Sequence, residues 1–236
     1  MILIIYSIAF WIFALVFTLI SSIQDDEISI KSDLIKKMPR PVSILIKAVP
    51  AGLAIIFIFL LRPSDAIFYF LMMLGLLFCL LGDVGMEIGL LPGLGLFALA
   101  QIDFTVTFLL QSLALGITTN SILLLGLTIF IVAVYAILLL RYLHSSEAGL
   151  GKFRIPILFY ACVISAMLCS SVLLWVTSGV LQGIVIVAGA TIFVISDSLI
   201  GTREFHHKIS KAAIKVMGTY YLAIFLLSLN VLIYIF

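Results

Sequence analysis

The sequence predicts an all-α polytopic membrane protein, a bundle of eight transmembrane helices forming a single domain over residues 1–236. Three observations carry this. First, 64% of the residues are hydrophobic and only 10% are charged, with a mean hydropathy of +1.38, whereas a soluble domain carries roughly a quarter charged residues. Second, eight segments approach the ~20 apolar residues that a helix needs to cross a bilayer core. Third, the basic residues gather in alternate loops, as they do in membrane proteins.

The segments run roughly over 2–21, 42–61, 66–88, 94–116, 121–142, 155–177, 180–201 and 212–235. The first is long enough to span. It lacks a basic start and a small-x-small cleavage site, so it reads as an anchor and not as a signal peptide. Segment 2 carries one charge, Lys47, and segment 3 ends with Asp83 and Glu87. LPGLGLF, with Gly93 and Gly95, reads as a turn into segment 4; it does not fit a dinucleotide or phosphate loop. Segment 4 then holds Gln101 and Asp103, segment 7 holds Asp197, and segment 8 holds Tyr220 and Tyr221.

Charge and cysteine usage exclude several classes. A formal net charge of +2, without a Lys/Arg-rich block interleaved with aromatics, excludes nucleic acid as a partner. Cys79, Cys162 and Cys169 lie within apolar segments. They read as small buried hydrophobes, with no spacing that suggests a disulfide framework or a metal site. His144, His206 and His207 fall in loops and read as part of an ordinary basic flank.

Two stretches suggest an internal four-plus-four duplication. GLLFCLLGD at 75–83 and GATIFVISD at 189–197 are apolar runs that open on glycine and close on aspartate, in the equivalent segments 3 and 7. Segments 2 and 6 are entered through RPVSIL and RIPIL, which place Pro41 and Pro156 at nearly the same offset. Repeats that place a site at their interface are common in membrane proteins.

The loop pattern fixes an expected orientation. Lys31, Lys36, Lys37 and Arg40 follow segment 1; Arg141, Lys152 and Arg154 flank the loop after segment 5; Arg203, Lys208, Lys211 and Lys215 flank the loop after segment 7. The even loops hold only Arg62. The positive-inside rule then puts both termini outside the cytoplasm. At ~1.5 Å rise per residue, Asp83, Asp197, Lys47, Gln101, Asp103 and Tyr220 are all expected in the cytoplasmic part of the bilayer. Intramembrane ionisable groups are rare and usually face a bundle interior or a wet cavity. Asp83 and Asp197 are therefore expected to face one cavity.

These residues also carry a family resemblance. SILIKAVP at 43–50, GLLFCLLGD, GATIFVISDSLIGTREF at 189–205 and MGTYYLA at 217–223 resemble, in order and spacing, the motifs of the lysoplasmalogenase family, the YhhN-like integral membrane hydrolases. Two segments depart from that pattern. Segment 4 reads AQIDF where the family has Ala-His-x-x-Tyr, so Gln101 and Phe104 replace the histidine and tyrosine, and Ile224 follows Ala223 in place of glutamine.

The resemblance implies an ether hydrolase of the alkenylglycerophosphocholine/ethanolamine type. Such enzymes cleave the vinyl ether bond of a lysophospholipid substrate in the membrane, releasing a fatty aldehyde and a glycerophospho-headgroup. It implies no metal or organic cofactor. Vinyl ether hydrolysis passes through an oxocarbenium ion, so its demands parallel those of a glycosidase, where one carboxyl gives a proton and another carries charge. A carboxyl kept from water favours its neutral form, and a lysine nearby favours the charged one. Asp83 and Asp197 are thus the expected catalytic pair. Lys47, Ser196, Tyr220, Gln101 and Asp103 are the expected substrate-binding or tuning residues, with Lys47 holding a headgroup phosphate or adjusting the pair. Two other classes use the same residue types: a proton-coupled transporter of a small amphipathic solute, and a non-catalytic lipid-binding protein whose aspartates only join helices. Aldehyde release from a panel of lysolipids separates them.

The charge bias yields one direct test. Reporter tags at either end are expected to be accessible only from the non-cytoplasmic side, and cytoplasmic exposure of either tag overturns this orientation.

Overall fold

The computed structural model describes residues 1–25, 35, 38–61, 66–146 and 149–233. Lys31, Lys36, Lys37 and Arg62, which contribute to the charge bias, lie outside the described residues. Among the described residues the chain is helical throughout, with short 3-10 turns and no strand. Eight helices are long and apolar enough to cross a membrane. They are α1 (Ile2–Gln24), α2 (Arg40–Leu61), α3 (Ala66–Ile88), α4 (Leu90–Leu115), α5 (Thr119–His144), α6 (Arg154–Ser178), α7 (Ile184–Phe205) and α8 (Ala212–Ser228).

The helix boundaries follow local chemistry. Pro41 and Pro156 sit in the first turns of α2 and α6, where a missing N–H costs nothing. Thr118 caps α5, its side chain accepting from the Ser121 N–H. Gly179 closes α6 in the left-handed conformation. One boundary differs from the sequence reading. LPGLGLF is not a turn but the first two turns of α4, which begins at Leu90. Pro92 falls in the first turn, where it is tolerated, and Gly93 is where α3 presses closest. A Cβ there would collide with the Met86 side chain and backbone.

Consecutive helices pack on one another within 1–4 and within 5–8. The exception is the junction between them. α4 and α5 are joined by a short loop but barely touch, while α4 packs against α6, and α1 and α2 close the ring against α8. The buried core is dominated by aromatic rings, among them Phe10, Phe57, Phe104, Phe193 and Tyr221.

The opening glycines of the two repeated stretches do the same work. A Cβ on Gly75 would run into the Phe104 ring of α4 and stand 2.8 Å from the Asp103 carboxylate. A Cβ on Gly189 would meet Leu227 and Leu226 of α8 at 3.1 and 3.2 Å. Each glycine lets its helix approach the next, the usual use of small residues between membrane helices, where packing replaces the hydrophobic drive. α5 is the exception to tight packing. Of its 26 residues only Ser121, Val132 and Leu143 are buried.

Gly75→Ala is expected to lower stability by about 1–3 kcal/mol through overpacking, against the ~1 kcal/mol that alanine gains in helix propensity. Gly95→Ala, where a Cβ meets nothing within 4 Å, is expected to be neutral or stabilising. Thermal unfolding of the two variants in detergent tests the contrast.

Candidate functional site

The polar interior is built from two tyrosine–aspartate pairs. Asp83, five residues from the end of α3, is buried at 2% exposure. Its Oδ2 accepts a hydrogen bond of 2.8 Å from the Tyr220 hydroxyl of α8. Tyr220 is held by edge-to-face contacts with Phe97 of α4 at 5.7 Å and Phe193 of α7 at 5.8 Å, geometries that the ring quadrupoles favour. Asp197 of α7 is partly exposed, and its Oδ2 accepts from the Tyr160 hydroxyl of α6. Both bonds satisfy a carboxylate that would be very costly to leave unpaired away from water.

The pairs face different surroundings. Asp197 and Tyr160 lie in the wall of a partly enclosed apolar crevice between α4, α5, α6 and α7, with about 880 Å³ of unfilled space. Asp83 does not line it. Phe97 lines the crevice on one side and touches Tyr220 on the other, so one aromatic ring stands between the Asp83 pair and the crevice. The two aspartates therefore do not open into one cavity as expected. Cys79, one turn before Asp83, lies within Coulombic reach of Asp83, Asp103 and Asp197. The three carboxylates thus occupy one region of the bundle, at different depths and in different contacts.

Lys47 is buried at 6% exposure in α2. Its ammonium is 3.1 Å from the Glu87 carboxylate of α3, and it also lies within Coulombic reach of Asp83. Glu87, which the sequence placed one turn beyond Asp83, is therefore half of an ion pair between helices. The Arg40 guanidinium donates to the Glu87 backbone carbonyl from the same side. Pro50 removes an N–H from α2 and disturbs the turn before it. In that turn the Lys47 carbonyl accepts from the Tyr221 hydroxyl at 3.1 Å.

The remaining expected residues separate. Ser196 is buried and donates to the Val216 carbonyl of α8 at 3.2 Å, a contact between helices. Asp103 lies against Gly75, eight residues before Asp83 in α3 and hence about 12 Å deeper along that helix. The early start of α4 at Leu90 accounts for this. Gln101 is fully buried. It lies beside the Tyr160 hydroxyl, so its polar end faces the Asp197 pair. Among the described residues no group of three or more His, Cys, Asp or Glu side chains is arranged to hold a metal ion.

Three site residues escaped the sequence reading. Tyr160 is the donor to Asp197, and Tyr135 and Ser198 form a second polar contact of 2.8 Å in the crevice wall. Only the level of Tyr160 hinted at its role. It lies six residues from the start of α6, and Asp197 eight from the end of the antiparallel α7.

The ion pair provides a test of Lys47. Removing one partner of a buried pair strands the other charge, a loss moderated here because Glu87 is one-third exposed. Lys47→Met is expected to cost about 1–2 kcal/mol, and adding Glu87→Leu is expected to restore part of it. A thermal-unfolding double-mutant cycle measures this. A single variant as stable as the parent removes the structural role and returns Lys47 to ligand binding alone.

Comparison with known proteins adds a family to this geometry. No curated protein and no solved structure matches the chain. A family match covers residues 42–231, from the second residue after Arg40 through the 3-10 turn that follows α8. It takes in both tyrosine–aspartate pairs and the Lys47–Glu87 ion pair. The chain belongs to the YhhN family.

Proposed function

We propose that the protein is a membrane hydrolase that cleaves the vinyl ether bond of lysoplasmalogens, giving a fatty aldehyde and a glycerophospho-headgroup. The observation that carries this reading is the Asp197–Tyr160 pair in the wall of a largely apolar crevice. A proton donor there can meet a hydrocarbon chain while water is scarce, which suits protonation of carbon. Membership of the YhhN family is compatible with a hydrolase.

The reaction needs few groups. Asp197, steadied by the Tyr160 hydroxyl, gives a proton to the β-carbon, and the double bond supplies the electrons for the new C–H bond. The α-carbon becomes an oxocarbenium ion. Asp83, held by Tyr220 behind Phe97 and facing Lys47 through its field, supplies negative charge that favours this ion. Water adds to the α-carbon and returns a proton to the Asp197 carboxylate. In the resulting hemiacetal the hydroxyl proton passes to the glycerol oxygen as the C–O bond breaks. Aldehyde and glycerol hydroxyl leave, and Asp197 is again protonated. Gln101, fully buried beside Tyr160, is positioned to hold the attacking water.

Asp197→Asn keeps the size of the side chain and its ability to accept from Tyr160, but it cannot pass a proton. General acid–base groups contribute typically 10²–10⁴-fold, so aldehyde release by the purified, folded variant is expected to fall more than about a hundredfold. Asp83→Asn acts through charge and is expected to fall by about tenfold or more. Tyr160→Phe is expected to reduce kcat more than it changes KM. A well-folded Asp197→Asn protein with near-native aldehyde release refutes the mechanism.

A further inference from the structure

We infer that Tyr221 of α8, braced by rings of α1, is a positioning residue: its hydroxyl fixes the Lys47 backbone so that one ammonium serves both Glu87 and Asp83. The inference deepens the hydrolase reading and rests on it for the effect on rate, while the packing it describes is independent of the reaction.

α1 lies before the residues of the family match, and it packs chiefly against α2 and α8. Its inward side chains are rings. Tyr6 stacks on Phe57 of α2 with centroids 4.1 Å apart, and its hydroxyl bonds to Ser228 Oγ at 2.5 Å. Phe10 and Phe17 lie seven residues apart, about two turns of helix. Both meet Tyr221 edge-to-face, each with centroids 6.4 Å apart and planes at 89°. Tyr221 is therefore held between two rings of a neighbouring helix and is 1% exposed. A phenol at that depth has to find a partner for its hydroxyl. It donates to the Lys47 carbonyl at 3.1 Å.

The place of that bond gives it leverage. Pro50 has no N–H, so the Ile46 carbonyl loses its helical donor and is crowded by the proline ring. The turn that carries Lys47 lacks a bond of its own, and the Tyr221 hydroxyl restrains it from outside. From this turn the Lys47 side chain extends until its ammonium stands 3.1 Å from Glu87 and within Coulombic reach of Asp83. Glu87 follows Asp83 by one turn on the same face of α3, so one cation serves both only from a narrow range of positions. An ammonium favours the charged form of a carboxylate near it. A shift of the α2 turn toward the rim leaves Asp83 without that cation. Rings of α1 thus act on Asp83 through two successive contacts, Tyr221 to the Lys47 carbonyl and the Lys47 ammonium to the carboxylates.

The test uses the full chain in detergent and reads two quantities. The first is the coupling between Lys47 and Glu87, taken from the melting temperatures of the parent, Lys47→Met, Glu87→Leu and the double variant. Tyr221→Phe keeps the ring and removes only the hydroxyl. In that background the coupling is expected to shrink by about half or more, whereas a hydroxyl that only adds stability lowers all four melting temperatures alike. Phe17→Leu loosens the same ring from α1, is expected to shrink the coupling too, and serves if Tyr221→Phe does not fold. Tyr6→Phe removes the α1 bond to Ser228 without touching Tyr221. It is expected to lower the melting temperature and leave the coupling intact; an equal loss of coupling there marks general loosening and overturns the inference. The second quantity is aldehyde release from a vinyl ether lysolipid. Tyr221→Phe is expected to lower kcat by about three- to tenfold with KM unchanged, and to have no further effect in the Lys47→Met background. Coupling that survives both Tyr221→Phe and Phe17→Leu overturns the inference, as does a loss of kcat equally large with and without Lys47. Reduced coupling in a protein that releases no aldehyde supports the positioning and sinks the hydrolase reading. Aldehyde release with coupling indifferent to Tyr221 leaves the hydrolase and removes Tyr221 from it.

Discussion

A carboxylate inside a helix bundle must find a hydrogen-bond donor without water, because the transfer of an unpaired charge into hydrocarbon is prohibitive. Much of this interior is arranged around that requirement. Tyr220 reaches Asp83 from α8, and Tyr160 reaches Asp197 from α6. The first bond joins helices far apart in sequence and the second joins consecutive ones, so the polar groups also fix how these helices sit against one another. The aromatic contacts of Tyr220 with Phe97 and Phe193 then set the position of α4 and α7 around the first pair. Lys47 and Glu87 tie α2 to α3 near the rim by the same logic.

The two pairs differ in what surrounds them, and the difference is chemical. Asp83 is sealed behind a ring, with a lysine in Coulombic reach. Asp197 borders an open apolar crevice. Two similar side chains thereby stand in separate surroundings, one closed and one open. The halves of the chain show the same divergence. Gly75 and Gly189 retain equivalent jobs at the α3–α4 and α7–α8 contacts, while the aspartates that close the same two stretches take their donors from non-equivalent helices. The glycine contacts are alike in the two halves; the polar partners are not.

How much was legible in sequence follows from the range of each signal. Membrane spans are local: some 20 apolar residues between polar ends announce a helix whatever its partners are. All eight appeared, and so did the isolation of Lys47, Asp83, Asp103 and Asp197 within them. The start of α4 was missed because Pro and Gly in LPGLGLF usually mark a turn, whereas here the proline occupies a first turn and Gly93 accommodates Met86. That error placed Asp103 too near the level of Asp83. Tyr160 was missed for a different reason. A tyrosine in an apolar segment is ordinary, and only its contact across to α7 gives it meaning. Ser196 illustrates the converse: it stands next to Asp197 in the chain, yet helical geometry turns its hydroxyl to α8.

The sparse packing of α5 has a mechanical consequence. At 26 residues, it is about 39 Å long, and its apolar run over 122–140 matches the ~30 Å hydrocarbon core, so its polar ends stand at the two membrane surfaces. Helices clamped by protein neighbours take their tilt from those neighbours. α5 makes few such contacts, and its first turn follows Gly116, held at φ 89°, so the surrounding acyl chains press on it directly. The lipid beside this helix, more than the protein, thus forms the wall it leans on.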